Sequence, residues 1–266
     1  MKIGVLGCGY QCEKELDERL NPWFNLADRY NFIFSFVSVQ FKEYANLGYK
    51  YDNSETEQKL IYYQGQDLIQ YTYFSTIPLI ESDARDKALE PLLKENCDLI
   101  WLLDLSDEYY TETQIRDIIN YIQKEEFIDW FSIPMRNYIF LGKEWISGFC
   151  PPRIWRVNII KDTYNKFRLS KFYWDNDVVY TCSMSKPDIE KSYKEFSNKS
   201  VPKNLINDGI KHLTWLHSNG QQKYEYQMKH FGHCGYKWNY DTNQLEFNKE
   251  FHEKNNIPIP EVFKDE

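Results

Sequence analysis

The sequence predicts an α/β fold with a mixed, mainly parallel central sheet flanked by helices and a small antiparallel extension. Residues 99–103 form a short, wholly apolar run bounded by charge, as expected for a central strand covered on both faces. Strand-like and helix-like segments alternate over residues 1–125, which favours parallel strands with right-handed connections. Residues 130–156 contain short strand-like runs separated by turns, which indicate antiparallel strands.

The N-terminal elements follow from the spacing of the apolar residues. Residues 2–8 are typical of a first strand, and residues 13–24 place their apolar side chains on one face of a helix. Residues 31–41 are rich in β-branched and aromatic residues, which predicts a second strand of the same sheet. Residues 81–96 form a helix with alanine and leucine on one side, and this helix leads directly into the central strand.

The central strand ends in an acidic turn that contains Asp104, Asp107 and Glu108. In open α/β sheets the ligand crevice lies outside the carboxyl ends of the strands, where carboxylates can hold a divalent cation that in turn binds phosphate. The same acids could instead form a turn before a helix, because helix N-termini also favour Asp and Glu. A capping-box pattern begins at Thr111 and predicts a helix there, so secondary structure holds the acids on both sides.

Other polar residues are further candidates for ligand contact. Residues 51–57, with Asp52 among them, form a polar cluster that could cap a helix or receive a ribose or base edge. Arg136, Arg153 and Arg156 could contact phosphates, although such arginines more often form surface or structural ion pairs.

Four of the five histidines lie in two groups, at residues 212–217 and 230–233. Clustered imidazoles suggest metal ligation or phosphate contact, and the alternative is that some are ordinary surface residues at a helix end.

Composition restricts the class of protein and its partners. With 17% aromatic and 27% charged residues, the chain has the balance of a folded protein. A net charge of −8 argues against strong nonspecific nucleic-acid binding, which needs an excess of cations.

The sequence has neither a run of about 20 apolar residues nor a secretory signal, so we expect no transmembrane segment and a cytoplasmic protein. The six cysteines form no CxxC pair, so we expect reduced thiols.

The chain resembles GT-A fold glycosyltransferases, especially family-2-like members, in four segments that occur in the same order, at residues 81–89, 103–111, 131–140 and 153–156. In these enzymes a helix with an Ala-Arg-Asn motif precedes the strand bearing a DxD or DADE signature, which binds a divalent metal and the diphosphate of a sugar nucleotide. Here Asp86 replaces the asparagine, and two residues separate Asp104 from Asp107. Asp107 and Glu108 match the second half of DADE.

The resemblance implies a metal-dependent glycosyltransferase that moves a sugar from a nucleotide-sugar donor to a hydroxyl acceptor, with Mn²⁺ or Mg²⁺ as its cofactor. It implies metal ligands drawn from Asp107, Glu108, His212 and His233. The candidate donor-binding residues are Arg85, Asp52, Asp104 and Arg156.

The resemblance also implies a division of the chain and a course for the reaction. A single GT-A-like, Rossmann-like catalytic domain would span residues 1–240, with a nucleotide-sugar half at about 1–125 and an acceptor half at about 126–240, followed by a C-terminal arm at 241–266. An inverting reaction needs a carboxylate base on the face opposite the leaving group. The candidate bases are Asp175, Asp177 and Glu144.

Two other functions are compatible with the same residues. A nucleotidyltransferase acting on a sugar phosphate could use the same sheet and acidic turn, and it would release pyrophosphate. A noncatalytic carbohydrate-binding protein could retain an aromatic cleft and bind glycans without a metal.

Overall fold

The computed structural model describes residues 1–140, 143–145, 150–158, 197–207, 209–213, 220–231, 236–242, 244–256 and 259. The strands are β1 (Lys2–Gly9), β2 (Asn31–Phe41), β3 (Tyr71–Leu79), β4 (Leu99–Asp104), β5 (Glu108–Tyr109), β6 (Trp130–Ser132), β7 (Met135–Phe140), β8 (Lys143–Trp145), β9 (Pro152–Arg156), β10 (Asn198–Ser200), β11 (Ile210–His212), β12 (Tyr236–Asn239) and β13 (Gln244–Phe247). The α-helices are α1 (Leu16–Phe24), α2 (Lys42–Ala45), α3 (Ser54–Gly65), α4 (Glu81–Lys94), α5 (Glu112–Lys124), α6 (Gly220–Phe231) and α7 (Lys249–Lys254).

A seven-stranded mixed sheet forms the centre of the described structure, in the order β10-β6-β9-β4-β1-β2-β3. Strands β3, β2, β1 and β4 are parallel, whereas β9 runs antiparallel to both β4 and β6. A four-stranded sheet, β5-β11-β7-β8, lies beyond the central sheet. The predicted α/β fold with a mainly parallel sheet and a small extension containing antiparallel strands is confirmed.

Strand β4 is buried on both faces, as its apolar run predicts. Leu99, Trp101 and Leu103 lie in a core cluster with the apolar residues of α1 and α5, whereas Ile100 and Leu102 lie in a second cluster with α4. The alternation arises because successive side chains of a strand point to opposite faces of the sheet. Helices on both sides therefore fix β4 in the sheet and set the position of the acidic turn that follows it.

The turn is also held from its C-terminal side, where α5 begins. The Thr111 hydroxyl accepts a hydrogen bond from the Gln114 backbone N–H at 3.2 Å, and the Gln114 side chain accepts one from the Thr111 N–H at 3.0 Å. The predicted capping box is confirmed. Such reciprocal bonds satisfy two helix-end donors that would otherwise need other partners.

The C-terminal region contains a hairpin and a short helix. Strands β12 and β13 pair as the antiparallel hairpin. Helix α7 follows, with an N-cap bond from the Phe251 N–H to the Asn248 side chain at 3.1 Å. None of the helices in the described ranges has the length and apolar character needed to cross a bilayer.

Candidate functional site

The carboxyl ends of β1, β2 and β4 lie side by side at one edge of the sheet. Cys8 of β1 is paired in register with Asp104 of β4, and Gly9 with Ser38 of β2. The polar residues that follow these strands are therefore brought together, as the general rule for ligand sites in α/β sheets predicts.

The acidic turn is a closed, hydrogen-bonded unit. The Asp107 N–H donates to the Asp104 carbonyl at 3.3 Å, and the Ser106 hydroxyl lies 3.1 Å from Asp104 Oδ1 and 2.7 Å from Asp107 Oδ1. Asp107 is only 4% exposed. The Lys223 ammonium from α6 donates to Asp107 Oδ1 at 2.5 Å, so a cation from a distant part of the chain balances this carboxylate.

Glu108 is fully buried and forms an ion pair. Arg153 of β9 donates to Glu108 Oε1 at 2.5 Å, and the Tyr110 hydroxyl donates to Oε2 at 3.0 Å. Both Glu108 and Arg153 are fully or nearly fully buried. Burial raises the pKa of Glu108 to about 7 and the Arg153 charge opposes that increase. Both carboxylate oxygens accept hydrogen bonds within the protein, so a metal at Glu108 would compete with Arg153 and Tyr110.

His212 faces the acidic turn from the second sheet. Strand β11 pairs with β5, opposite Glu108, and the Leu213 N–H donates to the Asp107 carbonyl at 2.8 Å. These backbone contacts place His212 Nε2 at 3.9 Å from Asp107 Oδ2. Burial lowers the pKa of His212 to about 4, although the Asp107 and Asp104 charges act in the opposite direction. The imidazole is therefore neutral near pH 7, which is the form that binds metals.

Lowering the pH is expected to destabilise the protein through His212. Unfolded histidine takes up a proton below its ordinary pKa of 6.5, whereas the folded side chain does so only near pH 4. The free energy of unfolding is therefore unaffected by this group above pH 6.5. It decreases as the pH falls from 6.5 towards 4, by about 3 kcal/mol at most. Urea unfolding of the wild type and His212→Gln across this interval tests it. The difference between the two free energies of unfolding should change with pH, and parallel profiles would rule this contribution out.

Arg85 also lies at this edge. It is 4% exposed, and its guanidinium donates to Glu81 one helical turn earlier in α4. Burial raises the pKa of Cys8 to about 12, the Arg85 charge opposes the increase, and the Asp104 charge adds to it. Helix α4 begins directly after β3, whose carboxyl end pairs with that of β2, so Arg85 near the start of α4 lies on the same side of the sheet as the acidic turn.

The exposed Asp52 lies at the neighbouring loop ends. The Gln11 side chain donates to the Asp52 carbonyl at 3.1 Å, and the Gln11 N–H donates to the Asn53 side chain at 2.7 Å. Gln11 also accepts a hydrogen bond from Gln222 of α6 at 3.0 Å. Helix α6 thus contacts Gln11, which binds the Asp52 loop, and it contacts the acidic turn through Lys223.

Arg156 lies at the opposite edge of the sheet from the acidic turn. It is paired in register with Leu99, five residues and about 16 Å of strand before Asp104. Its guanidinium donates to the carbonyls of Ile128 at 2.7 Å and Glu125 at 2.9 Å, just beyond the end of α5. Arginine near a helix C-terminus satisfies carbonyls that lack helical partners.

Arg156→Met is therefore expected to reduce stability and leave nucleotide affinity unchanged. Loss of the carbonyl contacts should lower the free energy of unfolding by about 1–2 kcal/mol. Urea unfolding and nucleotide titration measure the two effects, with Arg116→Met on the surface of α5 as the control. A tenfold or greater loss of nucleotide affinity in the folded variant would show that Arg156 takes part in nucleotide binding.

The remaining candidates fall outside the described part of the structure. Asp175, Asp177 and His233 lie among the undescribed residues, and Glu144 lies in β8 with an undescribed side chain. Sequence reasoning missed Lys223, because its position in the sequence gives no sign that it pairs with Asp107.

The carboxylate and imidazole atoms at this edge could form part of a site for a divalent cation. Asp107 Oδ2 and His212 Nε2 are 3.9 Å apart, so both could contact one ion whose ligands lie about 2.1 Å away. Asp104 adds a carboxylate to the same turn. Within the described ranges, however, no three His, Cys, Asp or Glu side chains are assembled as a complete metal site. The described residues therefore bring two groups that could bind a cation to face each other, and Lys223 already pairs with one of them.

The chain matches no protein-family model and no curated protein sequence. It is similar in fold to solved structures that include TarS 1–349 from S. aureus, with 14% identity over 86% of this chain and 64% of that chain, at a TM-score of 0.47. The same protein in complex with UDP matches with 16% identity over 85% of this chain and 63% of that chain, at 0.48. A protein described as a nucleotide-diphospho-sugar transferase from Desulfovibrio desulfuricans G20 matches with 13% identity over 76% of this chain and 80% of that chain, at 0.38. The chain thus spans less than two thirds of the TarS 1–349 chain.

Proposed function

We propose that the chain is a glycosyltransferase that moves a sugar from a nucleotide-sugar donor to a hydroxyl group of an acceptor, using Mn²⁺ or Mg²⁺. The observation that most supports this function is the meeting of Asp107 and His212 at the carboxyl edge of the sheet. The sequence resemblance implies that the metal and the donor diphosphate bind at the same turn.

Different residues at this edge would bind the metal, the diphosphate and the nucleoside of the donor. Asp107 and His212 would hold the metal, with Asp104 beside them. When bound, the metal neutralises the charge that develops on the departing nucleoside diphosphate. Arg85 near the start of α4 would add a guanidinium on this side of the sheet, and the Asp52 loop would offer polar groups to the nucleoside.

An inverting course is part of the proposal. It needs a carboxylate that removes the proton from the acceptor hydroxyl on the face opposite the leaving group. Asp175, Asp177 and Glu144 are the candidate bases from the sequence.

A thermal-shift screen of nucleoside diphosphates and nucleotide sugars, each with and without Mn²⁺, tests the donor. UDP, which one of the similar structures contains, is the first nucleotide to include. At a ligand concentration of 100 times the Kd, binding should stabilise the fold by about 2.7 kcal/mol. We expect stabilisation that depends on the metal for at least one nucleotide.

Analysis of the products then separates the three functions. We expect a nucleoside diphosphate to be released from the donor found in the screen. Release of pyrophosphate from a nucleoside triphosphate and a sugar phosphate would contradict the proposal in favour of nucleotidyl transfer. Metal-independent glycan binding with no turnover of any donor would contradict it in favour of a carbohydrate-binding protein.

A further inference from the structure

Helix α6 holds a positive charge directly against the acidic turn. The Lys223 ammonium lies 2.5 Å from Asp107 Oδ1 and 3.4 Å from the Ser106 hydroxyl. The side chains of Lys223 and Asp107 are 13% and 6% exposed. Because water screens this pair much less than a surface pair, its attraction is stronger than that of an ordinary exposed salt bridge.

Other contacts of α6 determine where Lys223 lies. Gln222 donates to the Gln11 side chain at 3.0 Å, and Glu225 accepts a hydrogen bond from the Tyr49 hydroxyl. Gln11 follows β1 and Tyr49 follows α2, so α6 is attached to the loops at the carboxyl edge of the sheet. Lys223 is consequently presented to Asp107 by a docked helix.

A divalent cation at Asp107 would meet this ammonium at close range. The two positive charges would share one carboxylate in a poorly hydrated site, where like charges repel strongly. Although Lys223 contacts Oδ1 and the metal would bind at Oδ2, this repulsion weakens the binding of each cation in the presence of the other. Tight binding of the metal is therefore favoured when the ammonium moves away from the carboxylate.

We propose that Lys223 is the resident counter-ion of Asp107 and that a divalent cation binds by displacing it. The inference rests on the metal site of the proposed function. Lys223 keeps the carboxylate neutralised before the metal arrives. Once displaced, its ammonium remains near the edge where the diphosphate would lie and can donate hydrogen bonds to anionic oxygens.

Mn²⁺ binding to the nucleotide-free protein tests the competition. Titration calorimetry on Lys223→Gln is expected to give at least about a tenfold higher Mn²⁺ affinity than on the wild type, because the neutral amide no longer repels the ion. Lys223→Arg should bind Mn²⁺ as weakly as the wild type. Lys94→Met removes the same charge from an exposed pair on α4, and its affinity should be unchanged. Equal affinities of Lys223→Gln and the wild type, or no binding by either, would overturn the inference.

A second measurement uses the wild type alone and does not depend on the folding of a variant. In the presence of Mn²⁺, an amine-acylating reagent should modify Lys223 several-fold faster than in its absence. Mass spectrometry of the digested protein measures the rate. Lys94, which is 74% exposed, serves as the internal control and should react at an unchanged rate. An unchanged rate at Lys223 under conditions that saturate Mn²⁺ binding would overturn the displacement.

The two proposals can fail separately. Donor turnover without competition at Lys223 would overturn only the displacement. Displacement of Lys223 by Mn²⁺, with no turnover of any nucleotide sugar, would overturn only the proposed transferase activity.

Discussion

Asp107→Asn is expected to lower kcat/KM for donor turnover by about 100- to 1000-fold, the usual cost of removing an electrostatic group that acts at the developing charge. The substitution keeps the size of the side chain and an oxygen that can accept from Ser106 and Lys223. It removes the negative charge that would hold the metal. Steady-state release of the nucleoside diphosphate measures the effect.

The matched control is Asp117→Asn, which makes the same change next to Arg116 on α5. Its kcat/KM should remain within about twofold of the wild type, because surface substitutions away from a site have small effects. If Asp107→Asn turned over the donor as fast as this control, the acidic turn would have no part in the reaction.

Arg153→Met is expected to destabilise the protein by about 1–3 kcal/mol, since it leaves the buried Glu108 carboxyl without its main hydrogen-bond partner. Glu108 is 0% exposed and Arg153 is 2% exposed, so water cannot replace the lost contact without a rearrangement. Urea unfolding followed by circular dichroism measures the change. A loss below about 1 kcal/mol would show that Glu108 finds another partner or becomes neutral at little cost.

A double substitution distinguishes the loss of the pair from the loss of packing. Arg153→Met combined with Glu108→Gln removes both charges and retains an acceptor for the Tyr110 hydroxyl. The double variant is expected to be more stable than Arg153→Met alone, because the two residues belong to one network and their effects are not additive. A double variant that lost the sum of the two single effects would contradict this coupling.

The sequence predicted those parts of the fold that depend on neighbouring residues. The apolar run of β4 has charge at both ends, and the structure buries it between helices. The capping box at Thr111 uses groups three residues apart, so its chemistry is visible in the sequence. Together these two features fixed the expected position of Asp104 and Asp107 at the end of a central strand.

The partners of the acidic residues could not be predicted in the same way. Lys223 is 116 residues from Asp107, and Arg153 is 45 residues from Glu108. Such pairs arise from the packing of whole elements, which local patterns do not specify. Arg153 and Arg156 are three residues apart in the sequence, yet one pairs with Glu108 and the other binds carbonyls near the end of α5. Residue type alone could not separate an ion pair from a phosphate contact.

Amide hydrogen exchange with and without the nucleoside diphosphate found in the screen, at saturating Mn²⁺, tests most directly where the donor binds. We expect slower exchange in residues 104–109 and in the first turn of α4, around Arg85. Slower exchange confined to residues 122–130, next to Arg156 at the opposite edge of the sheet, would rule out a donor site at the acidic turn.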